Sequence, residues 1–246
     1  MKKFIKIITY GCAILTIAFL LTSCHANIDW GNGIDGNGKV TKQTRKVENN
    51  FSKIDVSRGL NVTLEQSSSY SVEVEADENL QEHITTRVEN GTLMITTDEN
   101  IDEAKARNIY VKLPAVTTIT TTSGSSTATK NTFTGTDILV KTSSGSSANL
   151  KLEVDLIKCE SSSGSTLTLT GKALQLKVAS SSGSSIEAKN LLVNEVKAEA
   201  TSGSTIDVHP ILKLMASASS GSSIDYVGEP QTVSKEENSG GSVSKD

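Results

Sequence analysis

The side chains of this protein with acid–base capacity stand in two fixed registers. Glu160 and Glu199 each lie four positions before a glycine, and Glu187, Asp207 and Asp225 each lie four positions after one. Two carboxylates flanking one bond are the equipment of glycoside cleavage, so columns of acids on one exposed face would suit a polysaccharide lyase or glycoside hydrolase. Lysines alternate with these acids, however, and Phe, Trp and Tyr together make up only 4% of the residues, which leaves few rings to hold a sugar. Charge at outward sheet positions ordinarily keeps a face soluble. That reading is preferred here. The chain is expected not to be an enzyme, with a carbohydrate-active β-helix enzyme as the alternative.

Other chemistries lack their parts. His25, His83 and His209 are scattered, and no histidine or cysteine pair stands at metal-ligand spacing, so no metal or cofactor is expected. Serine is abundant, yet no G-x-S-x-G elbow occurs. Gly31-Asn32-Gly33-Ile34-Asp35-Gly36 matches G-x-G-x-x-G, which binds a dinucleotide only between a strand and a helix, and no helical periodicity follows it. With 24 basic against 28 acidic residues, a formal charge of -4 and no basic block, nucleic acid is not expected as a partner. A flat ice- or crystal-binding face ranks lowest, because the hydroxyl columns are expected at a bend with charges on the neighbouring strands.

A repeated phrase positions the columns. Serine-glycine-serine recurs around Gly124, Gly145, Gly164, Gly183, Gly203 and Gly221, with successive glycines 21, 19, 19, 20 and 18 residues apart. Apolar or small residues stand seven, five and three positions before each glycine, as in Leu176, Val178 and Ser180, and the same parity resumes afterwards, as in Ile186. Two short alternating strands and two turns per period of about 20 predict an all-β parallel β-helix, a β-solenoid in which each coil covers its neighbour. The six glycines are its corners, where a positive φ is required and the missing Cβ is expected to make room for the next coil. An inward serine ladder is expected at Ser144, Ser163, Ser182, Ser202 and Ser220. Residues 51–113 also alternate, as in Ile54 and Val56 or Ile109 and Val111, which predicts further strands, with one or two helical turns over 77–84. Exposed coil ends invite pairing with another chain, so a terminal cap or a homo-oligomer is expected.

Residues 1–23 read as a signal peptide: Lys2, Lys3 and Lys6 precede an apolar run from Ile7 to Leu21 that is short for a membrane span. Leu21-Thr22-Ser23-Cys24 follows and resembles the bacterial lipobox, which assigns lipidation to Cys24 and makes the membrane a partner through that lipid. Residues 24–46 read as a lipidated N-terminus and flexible tether, 47–228 as a single solenoid domain with regular repeats from about 117, and 229–246 as a disordered tail. With Cys12 in the signal and Cys24 lipidated, Cys159 is alone, and no disulfide forms within one mature molecule.

The segments LTSC, GNGIDGNG, RKVENNFSKIDVSRGLNVTLEQ and VEVEADENLQEHITTRVENGTLMI, together with the later SGS corners, carry a family resemblance from about Lys46 to Val227. The chain resembles the putative auto-transporter adhesins with a head GIN domain, and Gly59-Leu60-Asn61 stands close to a Gly-Ile-Asn triplet. The resemblance implies a right-handed β-helix similar to pectin lyases, glycine-serine turns between its sheets, no conserved catalytic residues and a role in cell adhesion. It brings no residue-level binding site. The expectation is a lipid-anchored outer-membrane protein of a Gram-negative bacterium, facing the cell surface or the periplasm, whose long sides contact glycans or host or envelope proteins.

Overall fold

The structure, a computed structural model, describes residues 33–48 and 50–246. The signal peptide, Cys24 and His25 lie outside the described residues. Seventeen strands form one continuous sheet: β1 (Val40–Arg45), β2 (Lys53–Val56), β3 (Asn61–Gln66), β4 (Ser71–Asp77), β5 (Ile84–Glu89), β6 (Thr92–Thr97), β7 (Arg107–Leu113), β8 (Thr118–Thr121), β9 (Ser126–Thr129), β10 (Phe133–Thr142), β11 (Ser147–Ser161), β12 (Thr166–Ser180), β13 (Ser185–Ala200), β14 (Thr205–Ser219), β15 (Ser223–Tyr226), β16 (Thr232–Asn238) and β17 (Ser242–Lys245). A single 3-10 turn, Glu78–Leu80, is all that the 77–84 stretch makes of its helical signal.

The chain winds as a β-solenoid with two opposed faces. Face A stacks β6, β2, β8, the second halves of β10 to β14, and β16, all in parallel. Face B stacks β7, β3, β9, the first halves of β11 to β14, then β15 and β17, again in parallel. Partners such as Ser147, Thr166 and Ser185 lie one coil apart. The alternating residues of both faces, among them Ile157, Leu176, Val196, Leu167 and Ile206, meet in one buried core. Period two is therefore what joins the faces: along each strand alternate residues are buried and those between them face water.

Each corner is a two-residue left-handed turn of the kind that type I′ hairpins use. Ser163 (φ 53°) and Gly164 (φ 69°) form its tip, and Ser165 N–H donates to Ser162 O at 3.2 Å. Ser144, Ser163, Ser182, Ser202 and Ser220 therefore stand at exposed tips with positive φ and do not form the expected inward ladder. The inward serine is the one after each glycine: Ser125, Ser146, Ser165, Ser184, Ser204 and Ser222 are all buried. The turn keeps the buried parity, with Ser161, Ser165 and Leu167 all inside, but its left-handed tip swings the residue between the two serines, Ser163, out to solvent. The room argument for glycine also fails at Gly164, where a Cβ would meet nothing within 4 Å, so only its φ requires glycine. Arg58–Gly59 and Ser239–Gly240 are further corners of the same type, which the serine-glycine phrase alone did not reveal.

The buried serine hydroxyls clamp coil to coil. Ser184 Oγ accepts the N–H of Ser181 at 3.2 Å and donates to Ser161 O of the preceding coil at 2.9 Å. Ser146, Ser204 and Ser222 donate in the same way to Thr121 O, Ser180 O and Ala200 O at 2.7, 2.8 and 2.7 Å. Ser165 reaches the preceding coil through Thr142 Oγ1 at 3.1 Å instead of a carbonyl, and Ser125 does not reach it at all. Its Oγ is buried without a hydrogen-bond partner, above the one corner where Leu60 takes the serine place.

The far end of each coil is a bend rather than a second tight turn, so strands β11 to β14 run 15 or 16 residues through it. Gly171 sits in this bend at φ 115°, where a Cβ would stand 2.1 Å from Leu152 O.

Both ends differ from expectation. The proposed tether is ordered from residue 33: β1 pairs antiparallel with β4, which pairs antiparallel with β7, and β5 pairs antiparallel with β6. Buried Asp77 fixes this end by accepting the N–H groups of Gly38 (2.8 Å), Ala106 (3.0 Å) and Lys105 (3.3 Å). Burial pushes its carboxyl up, but these N–H groups outweigh burial and hold it below the ordinary value. The glycine-rich motif finds its use here, since a Cβ on Gly36 would stand 2.1 Å from Asp77 Oδ2. The tail expected to be disordered forms the last coil, β16 and β17, paired with β14 and β15. Low apolar content misled, because backbone pairing to a preformed edge supplies the bonds. Lys235 and Glu237 take the inward positions that Ala216 and Ala218 hold one coil earlier, and they bond Val243 O and Val243 N–H across the open end. Inward charge at a terminal strand is a cap that resists further pairing.

Thermal denaturation separates these roles. Ser184→Ala removes the hydroxyl's bonds to Ser161 O and Ser180 Oγ while Ser181 N–H keeps its own bond to Ser161 O at 3.0 Å, and is expected to cost about 0.5–1.5 kcal/mol, whereas Ser125→Ala removes an unpartnered hydroxyl and is expected to leave the melting temperature unchanged or higher. Gly164→Ala is expected to cost about 1–2 kcal/mol for its left-handed φ alone. Gly171→Ala adds a backbone collision and is expected to lower the melting temperature several times further.

Candidate functional site

The outward columns of the two faces carry the chemistry, and the coil spacing of about 4.8 Å sets their intervals. On face A, Lys158, Lys177 and Lys197 are register partners in successive coils, and Glu160, Ala179 and Glu199 form the column beside them. Glu160 and Glu199 are thus two coils, about 9.6 Å, apart. Each is more than half exposed and paired with lysine: Lys141 Nζ lies 2.8 Å from Glu160 and Lys197 Nζ 2.7 Å from Glu199. The bond to Glu199 raises the Lys197 ammonium above its ordinary value.

Glu187, Asp207 and Asp225 form the other predicted column, and it lies on face B. The expectation that one exposed face gathers both registers is therefore corrected: the corner between them reverses the chain, so the two sets look in opposite directions. Asp207 is partly buried, which pushes its carboxyl above the ordinary value despite Lys189 Nζ at 3.3 Å. Lys189 is shared with Asp246, Glu187 accepts from Thr168 Oγ1 at 3.3 Å, and Asp225 accepts from Ser244. Next to the acids runs a hydroxyl at every layer from Ser126 through Ser147, Thr166, Ser185, Thr205 and Ser223 to Ser242. Neighbours in it bond each other, as Ser147 to Ser126 at 3.2 Å and Thr205 to Ser185 at 3.1 Å. These hydroxyls were expected at a bend. They stand on the flat face.

Two surface features were not visible in the sequence. A cleft of about 320 Å³ near the N-terminal end brings Lys42, Glu65, Glu73, Tyr110, Lys112 and Lys130 together from five separate segments. Lys42 Nζ lies 5.3 Å from the Tyr110 ring centre, and the Tyr110 hydroxyl donates to Glu75 at 2.8 Å, which holds that carboxyl down and the phenol up. At the bend, Leu174, Leu192, Ile211 and Leu212 are exposed beside Val154 and Ala173. Non-local pairing assembles both, so no spacing rule exposes them.

The histidines stay apart. His83 Nδ1 meets Asp98 at 3.0 Å before β5, and His209 Nδ1 meets Lys189 O at 3.1 Å in β14. Cys159 is buried between Val140 and Val178, and burial pushes its thiol far up. Among the described residues there is no cluster of three metal-ligating side chains, and no helix is long and apolar enough to cross a membrane.

Asp207 gives a pH test. A carboxyl raised in the folded state binds its proton more tightly there, so stability falls as pH rises from the unfolded value, near 3.9, through the folded one. Asp207→Asn is therefore expected to raise the melting temperature at neutral pH, with the gain vanishing below about pH 4. A gain independent of pH would contradict this.

The fold recurs in solved structures. An adhesin from Bacteroides fragilis, described as putative, superposes with a TM-score of 0.81 at 21% identity, over 87% of this chain and 100% of that one. A protein from Parabacteroides distasonis described as a putative lipid binding protein gives 0.71 at 19% over 87% and 99%, and a putative adhesin from Parabacteroides merdae 0.69 at 19% over 87% and 98%. No curated protein matches. The model of the family described as putative auto-transporter adhesin, head GIN domain, matches residues 50–230, and the chain belongs to that family.

Proposed function

We propose that this protein is an adhesin-like, non-enzymatic surface protein, held on the outer membrane of a Gram-negative bacterium by a lipid on Cys24. The observation that carries the reading is the unbroken face B column of hydroxyls from Ser126 to Ser242, at one interval of about 4.8 Å. Such a column offers many equivalent weak contacts to an extended glycan or protein, and weak contacts in series give avidity without a deep pocket. The lysine-paired state of Glu160 and Glu199 favours a solvated face over a cleavage pair. Family membership and the organisms of the structural neighbours support the placement at an envelope.

Three measurements test the reading. Cys24→Ser is expected to abolish incorporation of a labelled fatty acid. External protease is expected to degrade the protein on intact cells, and protection there would sink the surface assignment. On a polysaccharide panel the protein is expected to be retained without shortening any polymer. Unsaturated or shorter products would establish the enzyme alternative.

A further inference from the structure

Two like-charged ladders occupy opposite faces of the column. Face A carries Lys158, Lys177 and Lys197 in three successive coils, and face B carries Glu187, Asp207 and Asp225 in three successive coils. Like charges directly opposite on neighbouring strands destabilise a sheet, so each ladder costs the isolated molecule stability. Local neutralisation is incomplete on both sides. Among the described residues Lys158 and Lys177 make no ion pair, nor do Glu187 and Asp225, while Lys197 is held by Glu199 and Asp207 by Lys189. The coil rise that spaces one ladder also spaces the other, at about 4.8 Å.

We propose that these faces are complementary, and that face A of one copy docks on face B of a second copy of this chain, with the lysine ladder against the acid ladder. Glu187 lies about one and a half coils after Lys158, so parallel copies meet with a stagger of about 7 Å along the column. Face A of the second copy remains free, while its face B, hydroxyl column included, is covered, so row formation and glycan or protein contact through that column exclude each other on any one copy. The contact is heterologous and open, and it builds a lateral row of molecules rather than a closed dimer. The ends do not compete, because β1, β4 and β5 cover one and inward Lys235 and Glu237 guard the other. A row of this kind joins charged, solvated faces, so it is weak and sensitive to salt.

The test is sedimentation velocity on the chain from residue 25 onward, which keeps the whole compact unit of residues 34–246. At about 0.05 M salt the sedimentation coefficient is expected to climb with protein concentration, and at about 0.5 M salt to return to the monomer value. The triple variant Lys158→Glu, Lys177→Glu, Lys197→Glu and the triple variant Glu187→Lys, Asp207→Lys, Asp225→Lys are each expected to stay monomeric alone. Mixed in equal amounts, they are expected to associate again. Should a triple variant fail the circular dichroism check for folding, Lys177→Glu alone is expected to weaken association at least about tenfold. A wild-type chain that stays monomeric at low salt, a single-face reversal that still associates, or folded variants that do not associate when mixed would each overturn the proposal. Binding of wild type to heparin beads through the lysines, without self-association, would overturn it in favour of a polyanionic glycan.

Discussion

Hydrogen bonding between layers at the serine corners governs this molecule. Among the described residues the core holds few aromatic rings, Phe51, Phe133 and Tyr226, and the cysteine sealed in it, Cys159, is a free thiol, so neither stacked rings nor a disulfide ties the layers together. The molecule relies on backbone ladders along two faces and on the hydroxyl that follows each corner glycine. That hydroxyl takes up an N–H of its own turn and donates to a carbonyl of the layer beneath, as Ser204 does with Thr201 N–H and Ser180 O. A buried polar atom is thereby converted from a cost into a register lock. Where the partner is missing, at Ser125, the layer beneath carries leucine at the same place, and the lock begins only one layer later.

Fixed register has a second result. Any residue type repeated at one position of the period becomes a straight line on the surface. The lysines of face A, the acids of face B and the hydroxyls beside them are each such a line, and none is produced by a fold-specific loop. Chemistry on this scaffold is therefore written as columns. The cleft around Tyr110 has a different origin, since there the winding is interrupted and strands β1 and β4 run against the others.

Most of the winding was legible before any coordinates. Alternation around each glycine placed Ile138, Ile157, Leu176 and Leu214 inside correctly, because parity is a local property of extended chain. The inward serine was misplaced by two positions, since parity allows both Ser163 and Ser165 inside and composition does not record the left-handed φ that swings Ser163 out to the tip. Arg58–Gly59 escaped notice because arginine stands where serine usually does, although its φ of 63° shows the same turn. The last coil and the Gly36–Asp77 contact were hidden for another reason. Both depend on an edge or a carboxylate supplied by distant chain, and polar composition there suggested solvent exposure instead of docking.

The bond network joins each layer only to the ones directly above and below it. Energetically such a column behaves as a chain of nearest-neighbour terms, with no contact that knows the total height. Loss or duplication of one period in the regular region would therefore shorten or extend the column by about 4.8 Å without reshaping what remains. Evolution can tune the length of this column simply by counting serine-glycine corners.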